Sequence, residues 1–488
     1  MRIIGNDPNT PRQTQVVASG TLSTGDTVVV NSDGTVSAVA GSSVSGSTGT
    51  PQTFYSAEAT RTCVVYDSAN DKIVVAYRDG ANADSSRAVV GTISGTSVTF
   101  GTPVQFSSDN CFQDFKMAYD SANGKIVIVW GSSTSPYPVY AIVGTVSGTS
   151  ISFGSQATAF AGYASGGGSS IPRVVYDSTN DKVVVLYRDE SASGQGKGVV
   201  GTVSGTSISF GSAATFNSSN TYDIDAAFDS SNGKVFVAFR DIGNSNYGTG
   251  VVGTVSGTSI TFGTKVVYES AEATENTTCY DSANAKVAVF YQDGGNSQYG
   301  TYAVGTISGT SVSFGTPAVI ASARREKMNC AYNAVTGIIT ISWKNGTDGD
   351  SGYLNNGTIS GTTMTFDTAY QIETGQFNYN FTTSAGSVTV TSYTDAGNSN
   401  YGKVVVDQQA YTSTNLTAEN YIGTAKSGAA DGDGVVVNTQ GNVDTGQTGL
   451  TAGQSYYVQT DGSLSTTADD PSVFAGTAVS STKLIVKG

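Results

Sequence analysis

Gly253-Thr254-Val255-Ser256-Gly257-Thr258-Ser259-Ile260-Thr261-Phe262-Gly263 is one copy of a motif that returns along most of this 488-residue chain. A strand ending in Thr-Val-Ser, a Gly-Thr turn and an alternating Ile and Phe strand predict a β-hairpin. The copies start 50 to 57 residues apart, and a repeat of this size is typical of propellers, solenoids and similar arrays. Further copies start at Gly91, Gly144, Gly201 and Gly305, a weaker one at Gly357 and a degenerate one at Gly41.

A second hairpin precedes the first in each repeat. Val174-Val175-Tyr176-Asp177 leads through a Ser-Thr-Asn-Asp turn into the return strand Lys182-Val183-Val184-Val185-Leu186-Tyr187-Arg188-Asp189. Each repeat is therefore expected to contain four short strands, A to D, which is the content of one propeller blade. Counting Tyr176, the element occurs seven times, with cognates at Tyr66, Tyr119, Phe228, Tyr280, Tyr332 and, degraded, near Thr382.

The two ends of the repeat region complement each other. The last repeat has an A strand that begins near Phe377, a B strand and a C strand at Lys403-Val404-Val405-Val406, but no D strand. The degenerate first copy has a D element, Val44 to Phe54, without an A, B or C strand of its own. An open solenoid has no need of this complementarity. We therefore predict an all-β, seven-bladed β-propeller in which the N-terminal strand closes the last blade.

The flanking segments are predicted to form a small β-domain of their own. Gly25-Asp26-Thr27-Val28-Val29-Val30-Asn31 is echoed by Gly432-Asp433-Gly434-Val435-Val436-Val437-Asn438 near the other end of the chain. Closure of the last blade would bring the two flanks together. The predicted division is an anchor domain built from residues 1–40 and 412–488, with the propeller at 41–411 inserted between them.

The composition excludes several kinds of active site and partner. The chain has no His, which removes Ser-His-Asp and Cys-His catalytic systems and most zinc sites. Its net charge of −14 argues against nucleic-acid binding and against anionic membranes. Only 13% of residues are charged, against roughly 25% in typical soluble domains, which favours an extracellular or virion surface.

No cofactor, disulfide or membrane segment is predicted. Cys63, Cys111, Cys279 and Cys330 lack paired spacing and are interpreted as buried free thiols. Met1 to Pro8 lacks the apolar core of a signal peptide, and no segment reaches the roughly 20 apolar residues of a membrane span.

The recurrent Tyr-Asp-Ser-x-Asn turn is the one candidate metal loop. Each copy offers one or two carboxylates, whereas Ca²⁺ takes about six to eight oxygen ligands. We interpret the element as a hairpin turn whose Asp and Asn side chains bond to the local backbone. No metal site is predicted, although the sequence leaves open whether any turn binds Ca²⁺.

Arg-Asp pairs end several B strands, and arginines in a propeller are one mark of sialidases. A sialidase needs arginines that converge on one substrate carboxylate, whereas these occupy one equivalent position per repeat, and the sialidase Asp-box is missing. Pairing between neighbouring blades is the preferred interpretation, and no catalytic residue is predicted. The pairs are Arg78-Asp79, Arg188-Asp189 and Arg240-Asp241.

The loops that follow the B and D strands vary between repeats, while the A–B and C–D turns are uniform. In a propeller these two sets emerge on opposite faces, and binding residues concentrate on variable loops carried by a rigid scaffold. The face formed by the B–C and D–A loops is therefore the predicted contact surface. Its candidate binding residues are Tyr163, Asn244, Asn246, Tyr247, Asn296, Tyr299, Asn398, Tyr401, Arg324 and Arg325.

A family resemblance enters at the C-terminal end. Gly449 to Thr466 and Ala475 to Ile485 resemble a module that ends virion structural proteins of tailed bacteriophages, and the Val- and Gly-rich pattern of residues 16–36 and 420–438 resembles capsid cement (head-decoration) proteins. The resemblance implies a non-enzymatic protein located in the virion, either capsid decoration or tail fibre. Its implied partners are other virion proteins and a host-surface glycan or protein, and a homotrimer is the expected assembly. The alternative is a glycan-degrading propeller enzyme, a tailspike depolymerase or sialidase-like protein.

Overall fold

The computed structural model describes residues 12–108, 111, 114–164, 172–469 and 471–487. The chain divides into two compact units, residues 46–409 and residues 1–45 with 410–488. Met1 to Pro8, where the sequence lacks a signal peptide, lies outside the described residues. The prediction of an all-β protein is confirmed, since only two single-turn 3₁₀ helices, Glu190–Ala192 and Ile242–Asn244, interrupt the strands of the described part.

In the described residues the larger unit consists of three antiparallel sheets in which most sequential strands pair. Its strands are Ser47–Thr48, Gln52–Asp67, Lys72–Asp79, Ser85–Ser94, Ser97–Phe100, Val104–Ser107, Lys116–Asp120, Lys125–Gly131, Val139–Ser147, Ser150–Phe153, Ala157–Phe160, Arg173–Asp177, Lys182–Asp189, Gln195–Ser204, Ser207–Phe210, Ala214–Asp229, Lys234–Asp241, Tyr247–Ser256, Ser259–Phe262, Val266–Asp281, Lys286–Asp293, Tyr299–Ser308, Ser311–Phe314, Ala318–Asn333, Ile338–Asn345, Ser351–Ser360, Thr363–Phe366, Tyr370–Glu373, Phe377–Ala385, Val388–Asp395 and Tyr401–Gln408.

The repeated motif forms the hairpin that its sequence predicts. Tyr247–Ser256 pairs antiparallel with Ser259–Phe262, with Gly253 opposite Phe262 and Ser256 opposite Ser259. Gly257 opens the two-residue turn at φ +59°, a left-handed conformation that glycine adopts without steric cost.

At four junctions of the described residues a single long strand contains both the D–A connection and the A strand, where the sequence predicted a loop: Gln52–Asp67, Ala214–Asp229, Val266–Asp281 and Ala318–Asn333. The D strand itself, such as Ser259–Phe262, remains separate. In Val266–Asp281, Val266 and Val267 pair with the C strand of the preceding repeat, and Ala273 to Asp281 pair with the B strand of their own repeat. Shifts of register along the strand mark β-bulges, which bend a strand and so let it pass from one sheet to the next.

The N-terminal end of this unit pairs with the last repeat. Glu58, Tyr55, Thr53 and Gln52 lie opposite residues 401–404, and Ser47–Thr48 pairs with residues 407 and 408. Ser47, Thr48, Gln52 and Thr53 lie within the predicted closing segment, Val44 to Phe54, and the pairing continues beyond that segment to Glu58. Val44 itself pairs with Tyr411 in the smaller unit.

The core of the larger unit consists of apolar side chains from neighbouring repeats that pack against each other. One cluster joins Val127, Val129 and Ala141 of one repeat to Val183 and Val185 of the next. The four cysteines lie in such environments as buried free thiols, as predicted.

A close approach between repeats explains the glycine that ends the repeated motif. A β-carbon on Gly263 would overlap the carbonyl oxygen of Thr310 in the next repeat, and Gly101, Gly154 and Gly211 meet equivalent threonine carbonyls. The Phe-Gly pair therefore marks where one repeat rests on the Gly-Thr turn of the next.

The smaller unit contains strands from both chain ends. Its five-stranded sheet has the order Gln13–Val17, Gly434–Asn438, Tyr421–Ala425, Thr27–Val30 and Val36–Ala38, so the two echoing motifs share one sheet. A second five-stranded sheet has the order Val443–Asp444, Lys483–Val486, Val473–Ser480, Ser455–Val458 and Leu464–Ser465. Gly41–Val44 pairs with Tyr411–Thr414. No helix in the described residues has the length and apolar character needed to cross a membrane.

Candidate functional site

The inner strands of the larger unit carry a recurrent irregularity. In five repeats one non-glycine residue of the inner strand has a positive φ. It lies five positions before the aromatic residue near the end of that strand, or before its cognate, and the strand pairing shifts register at this point. Such residues cost about 1–3 kcal/mol each and cluster at functional sites. They are Arg61 (φ 58°), Asp223 (49°), Glu275 (54°), Lys327 (53°) and Tyr379 (48°).

All five of these side chains line one cavity of about 450 Å³. Its volume lies within the roughly 300–1,000 Å³ typical of small-molecule sites. Because the inner strands of several repeats contribute to it, the bulges direct equivalent positions toward a common space. The other lining residues are Asp114, Lys116, Arg173, Asp225, Asn276, Thr277, Met328, Asn329, Asn378 and Asn380.

Three ion pairs in the cavity join successive repeats. Arg61 lies 3.2 Å from Asp114, and Arg173 lies 2.9 Å from Asp225. Lys327 lies 2.6 Å from Glu275. Burial opposes the charge of the Lys327 ammonium, but the adjacent carboxylate of Glu275 outweighs it, and the pKa of Lys327 is raised.

Asp223 differs from the other carboxylates of the cavity. Its side chain is buried and forms an ion pair of 2.8 Å with Arg240 behind the cavity wall. Burial raises the pKa of Asp223 and the nearby Glu275 raises it further, against the opposing effect of Arg240. A carboxyl group with this environment holds a proton more readily than a surface carboxyl group.

Lys116 is the cation of the cavity that differs from the rest. Its side chain is only 8% exposed, and its ammonium lies 4.6 Å from the ring centroid of Phe381. Within the described residues, no hydrogen bond or ion pair of this ammonium is found. Burial lowers the pKa of Lys116, and the neighbouring Arg173 lowers it further.

The predicted loop residues lie elsewhere in the repeats. Asn244, Asn296 and Asn398 occupy exposed B–C loops. Asn246 has φ 65° and donates its backbone N–H to the carbonyl oxygen of Asp241 at 3.0 Å. The recurrent tyrosines are half-buried, and each begins a C strand opposite the Asp that ends the B strand. They therefore also have a structural role in the repeat: Tyr247, Tyr299 and Tyr401.

The remaining predicted residues divide between surface and interior. Tyr163 is 42% exposed and makes an edge contact with Tyr137, and Arg324 lies opposite Tyr299 in the strand pairing. Arg325 was wrongly assigned to the exposed surface. It is 4% exposed, its guanidinium stacks 4.1 Å from the ring of Trp343, and it donates to Asn355 Oδ1 at 2.9 Å.

The Arg-Asp pairs of the B strands are structural, but they do not all join neighbouring repeats. Arg78 pairs with Asp84 of its own B–C loop at 2.7 Å, contrary to the predicted pairing between blades. Arg188 forms an ion pair with Glu190 of its own repeat, and it also donates to Asn220 at 2.7 Å and lies over the ring of Tyr222 in the next long strand.

The Asp-Ser-x-Asn turns have the capped geometry that the sequence predicts. Asp281 Oδ1 accepts the backbone N–H groups of Ala283 and Asn284 at 3.0 Å, and its Oδ2 accepts the Asn284 side-chain amide at 2.8 Å. Asp67, Asp177 and Asp229 repeat this pattern. Across the described ranges, no cluster of three or more Cys, Asp or Glu side chains is arranged to hold a metal ion.

Comparison with known proteins supports the propeller fold. No family model matches the sequence, and no curated protein matches it significantly. The BP39L lectin from Burkholderia pseudomallei superimposes with a TM-score of 0.51 at 11% identity, covering 74% of this chain and 98% of the lectin. The Cps50 (Swd1) β-propeller domain of Myceliophteria thermophila gives a TM-score of 0.47 at 7% identity over 73% of this chain and 98% of that domain. Polysaccharide lyase Uly1 gives 0.44 at 9% identity over 71% of this chain and 89% of the lyase.

This chain is an all-β protein whose structural neighbours are β-propeller domains.

Proposed function

We propose that this chain is a non-enzymatic surface protein of a tailed-bacteriophage virion. A β-domain built from both chain ends attaches it to the particle, and a closed seven-bladed propeller is displayed for contact with a host-surface glycan or protein. Capsid decoration and tail fibre are both within this proposal. The homotrimer belongs to it as well, on the strength of the sequence resemblance alone.

One observation carries the proposal: both chain ends contribute neighbouring strands to one sheet. Thr27–Val30 pairs with Tyr421–Ala425, and Gln13–Val17 pairs with Gly434–Asn438. The segments that resemble phage virion modules are the ones that form this unit. An anchor of this kind leaves the whole repeat region as a single insertion.

The strand pairing supports a ring of seven blades. The A, B and C strands of the last repeat pair in order, and Gln52–Asp67 continues that sheet before it enters the first repeat. This is the pairing that a propeller needs if the first strand of the chain closes the last blade.

The ion pairs of the cavity support a binding role over a catalytic one. Asp114, Asp225 and Glu275 each have a cation within 3.2 Å, so these carboxylates are already engaged in ion pairs between neighbouring repeats.

Particle analysis tests the virion role directly. Mass spectrometry of purified virions from the source that encodes this chain should detect it, and cryo-EM should locate it on the head or the tail. Its absence from washed, intact particles would contradict the proposal.

A glycan-degrading enzyme is the second candidate, and one observation favours it. Asp223, Asp225 and Glu275 converge on one cavity, and Asp223 has the raised pKa that a general acid needs. Turnover of host polysaccharide, measured as new reducing ends and abolished by Asp223→Asn but not by the surface change Asp461→Asn, would establish this candidate. Intact polysaccharide after long incubation would reject it.

A further inference from the structure

The inner cavity contains a charge that the protein itself does not neutralise. Arg61, Arg173 and Lys327 each have a carboxylate partner, whereas the ammonium of Lys116 has neither an ion pair nor a hydrogen bond among the described residues. Its one close neighbour is the face of the Phe381 ring at 4.6 Å. A cation–π contact gives only part of the stabilisation that an ammonium loses when it leaves water.

An unpaired buried ammonium is costly to the fold. Side chains that are buried and charged are normally paired, because the desolvation penalty otherwise amounts to several kcal/mol. Lys116 is only 8% exposed, and it lines a cavity large enough for a ligand. An anionic ligand bound beside this ammonium would offset the desolvation cost.

The neutral residues that line the cavity indicate what kind of molecule would carry the anionic group. Asn276, Asn329, Asn378 and Asn380 line the cavity beside the aromatic ring of Tyr379, and Met328 is the apolar exception among the neutral lining residues. The amide of Asn276 is already bonded to Tyr268 and to the backbone of Asp223, whereas the buried Oδ1 of Asn380 has no partner among the described residues. Amides that both donate and accept hydrogen bonds, with an aromatic ring beside them, suit a ligand that is rich in hydroxyl groups.

We propose that this cavity binds an acidic sugar of one or two residues, with the sugar carboxylate on the ammonium of Lys116. The ion pair Arg173–Asp225 lies beside this position and holds the cavity wall in place. Arg61 and Tyr379, both with positive φ, also line the cavity, and the Cζ atom of Arg61 lies 5.4 Å from the centroid of the Tyr379 ring. The inference concerns binding at a site that the predicted loop face does not include, and it holds with or without a virion role or turnover.

The test is calorimetric titration of the full chain with D-glucuronate, D-galacturonate and N-acetylneuraminate at millimolar concentrations. D-Glucose, D-galactose and acetate serve as controls, because they carry the hydroxyl groups or the carboxylate alone. At least one acidic sugar should bind, and it should bind about tenfold or more tightly than any of the controls, since it alone makes both kinds of contact.

Variants separate the cavity from other surfaces. Lys116→Met keeps the length of the side chain, removes the buried charge and should weaken acidic-sugar binding about tenfold or more. Lys483→Met, which removes an exposed lysine from the smaller unit, should leave the affinity unchanged. The proposal is overturned if no acidic sugar binds, if acetate binds as tightly, or if Lys116→Met binds as well as the parent chain.

Discussion

The guanidinium of Arg173 lies 2.9 Å from the carboxylate of Asp225, and the two residues hold the same position in successive repeats. Asp225 also accepts the backbone N–H of Thr278 in the following repeat, at 2.7 Å. One carboxylate therefore ties three consecutive inner strands together beside the cavity.

Removing Arg173 should destabilise the larger unit more than a surface ion pair would. Arg173→Met leaves Asp225 partly buried without its cation, and we expect a loss of about 2 kcal/mol in the free energy of unfolding, between the values for surface and buried pairs. Urea unfolding followed by circular dichroism measures this loss. A double-mutant cycle with Asp225→Asn should give a coupling energy well above zero, and strict additivity would show that the pair contributes nothing.

The contact between repeats at Gly263 should tolerate no side chain. Gly263→Ala places a methyl group on the carbonyl oxygen of Thr310, and we expect a loss of about 2–3 kcal/mol in stability. Gly375→Ala is the matched control, because a β-carbon there would lie 3.6 Å from its nearest neighbour. Thermal unfolding of the two variants compares them directly. Equal melting temperatures would contradict the proposed packing of one repeat on the next.

The capped turns should be structural and independent of metal. Asp281→Ala leaves the backbone N–H groups of Ala283 and Asn284 without their acceptor, and we expect a loss of about 1–3 kcal/mol. Chelation of divalent ions should leave the melting temperature of the parent chain unchanged, since the turn N–H groups already occupy the carboxylate. A clear drop on chelation would instead assign Ca²⁺ to these turns.

The buried Lys116 should make stability depend on alkaline pH. Burial and Arg173 lower its pKa, while Asp114 and Asp225 oppose this effect, so the unfolded chain binds the proton more tightly than the folded chain. The ammonium therefore costs stability at neutral pH, and the cost disappears as pH rises from the lowered pKa toward about 10.4, the value in the unfolded chain.

Lys116→Met should consequently be more stable than the parent chain near neutral pH, with an advantage that shrinks as pH rises. Urea unfolding at a series of pH values measures the difference between the two proteins. A variant that is less stable at neutral pH, or a difference that grows with pH, would contradict an uncompensated ammonium at this position.

The local hairpins could be predicted from the sequence because their signals lie within a few residues. The Gly257-Thr258 turn and the Asp281 cap depend on neighbours in the chain, and both form as predicted. The closing segment pairs with the last repeat between Ser47 and Glu58, so the predicted bounds, Val44 to Phe54, overlap the pairing but miss its end. The degenerate first copy of the motif gives no register from which to place that end. The bulges were not predicted, and the D–A connection forms one long bulged strand with the A strand in places such as Val266–Asp281.

The cavity escaped prediction because its residues come from different repeats, one or a few from each. A signal was nevertheless present: at the bulge position, the otherwise uniform inner strand carries Arg61, Asp223, Glu275, Lys327 and Tyr379. Arg325 was misplaced for a related reason. Arg324 and Arg325 were interpreted as a charged loop, but they lie in a strand, where successive side chains point to opposite faces.

A crystal structure of the chain with a bound acidic sugar would show whether the inner cavity is the binding site. We expect ligand density in the cavity, with a carboxylate oxygen about 3 Å from the Lys116 ammonium nitrogen. Density for the sugar on the B–C loops, beside residues such as Tyr247 and Asn296, with none at Lys116, would contradict it.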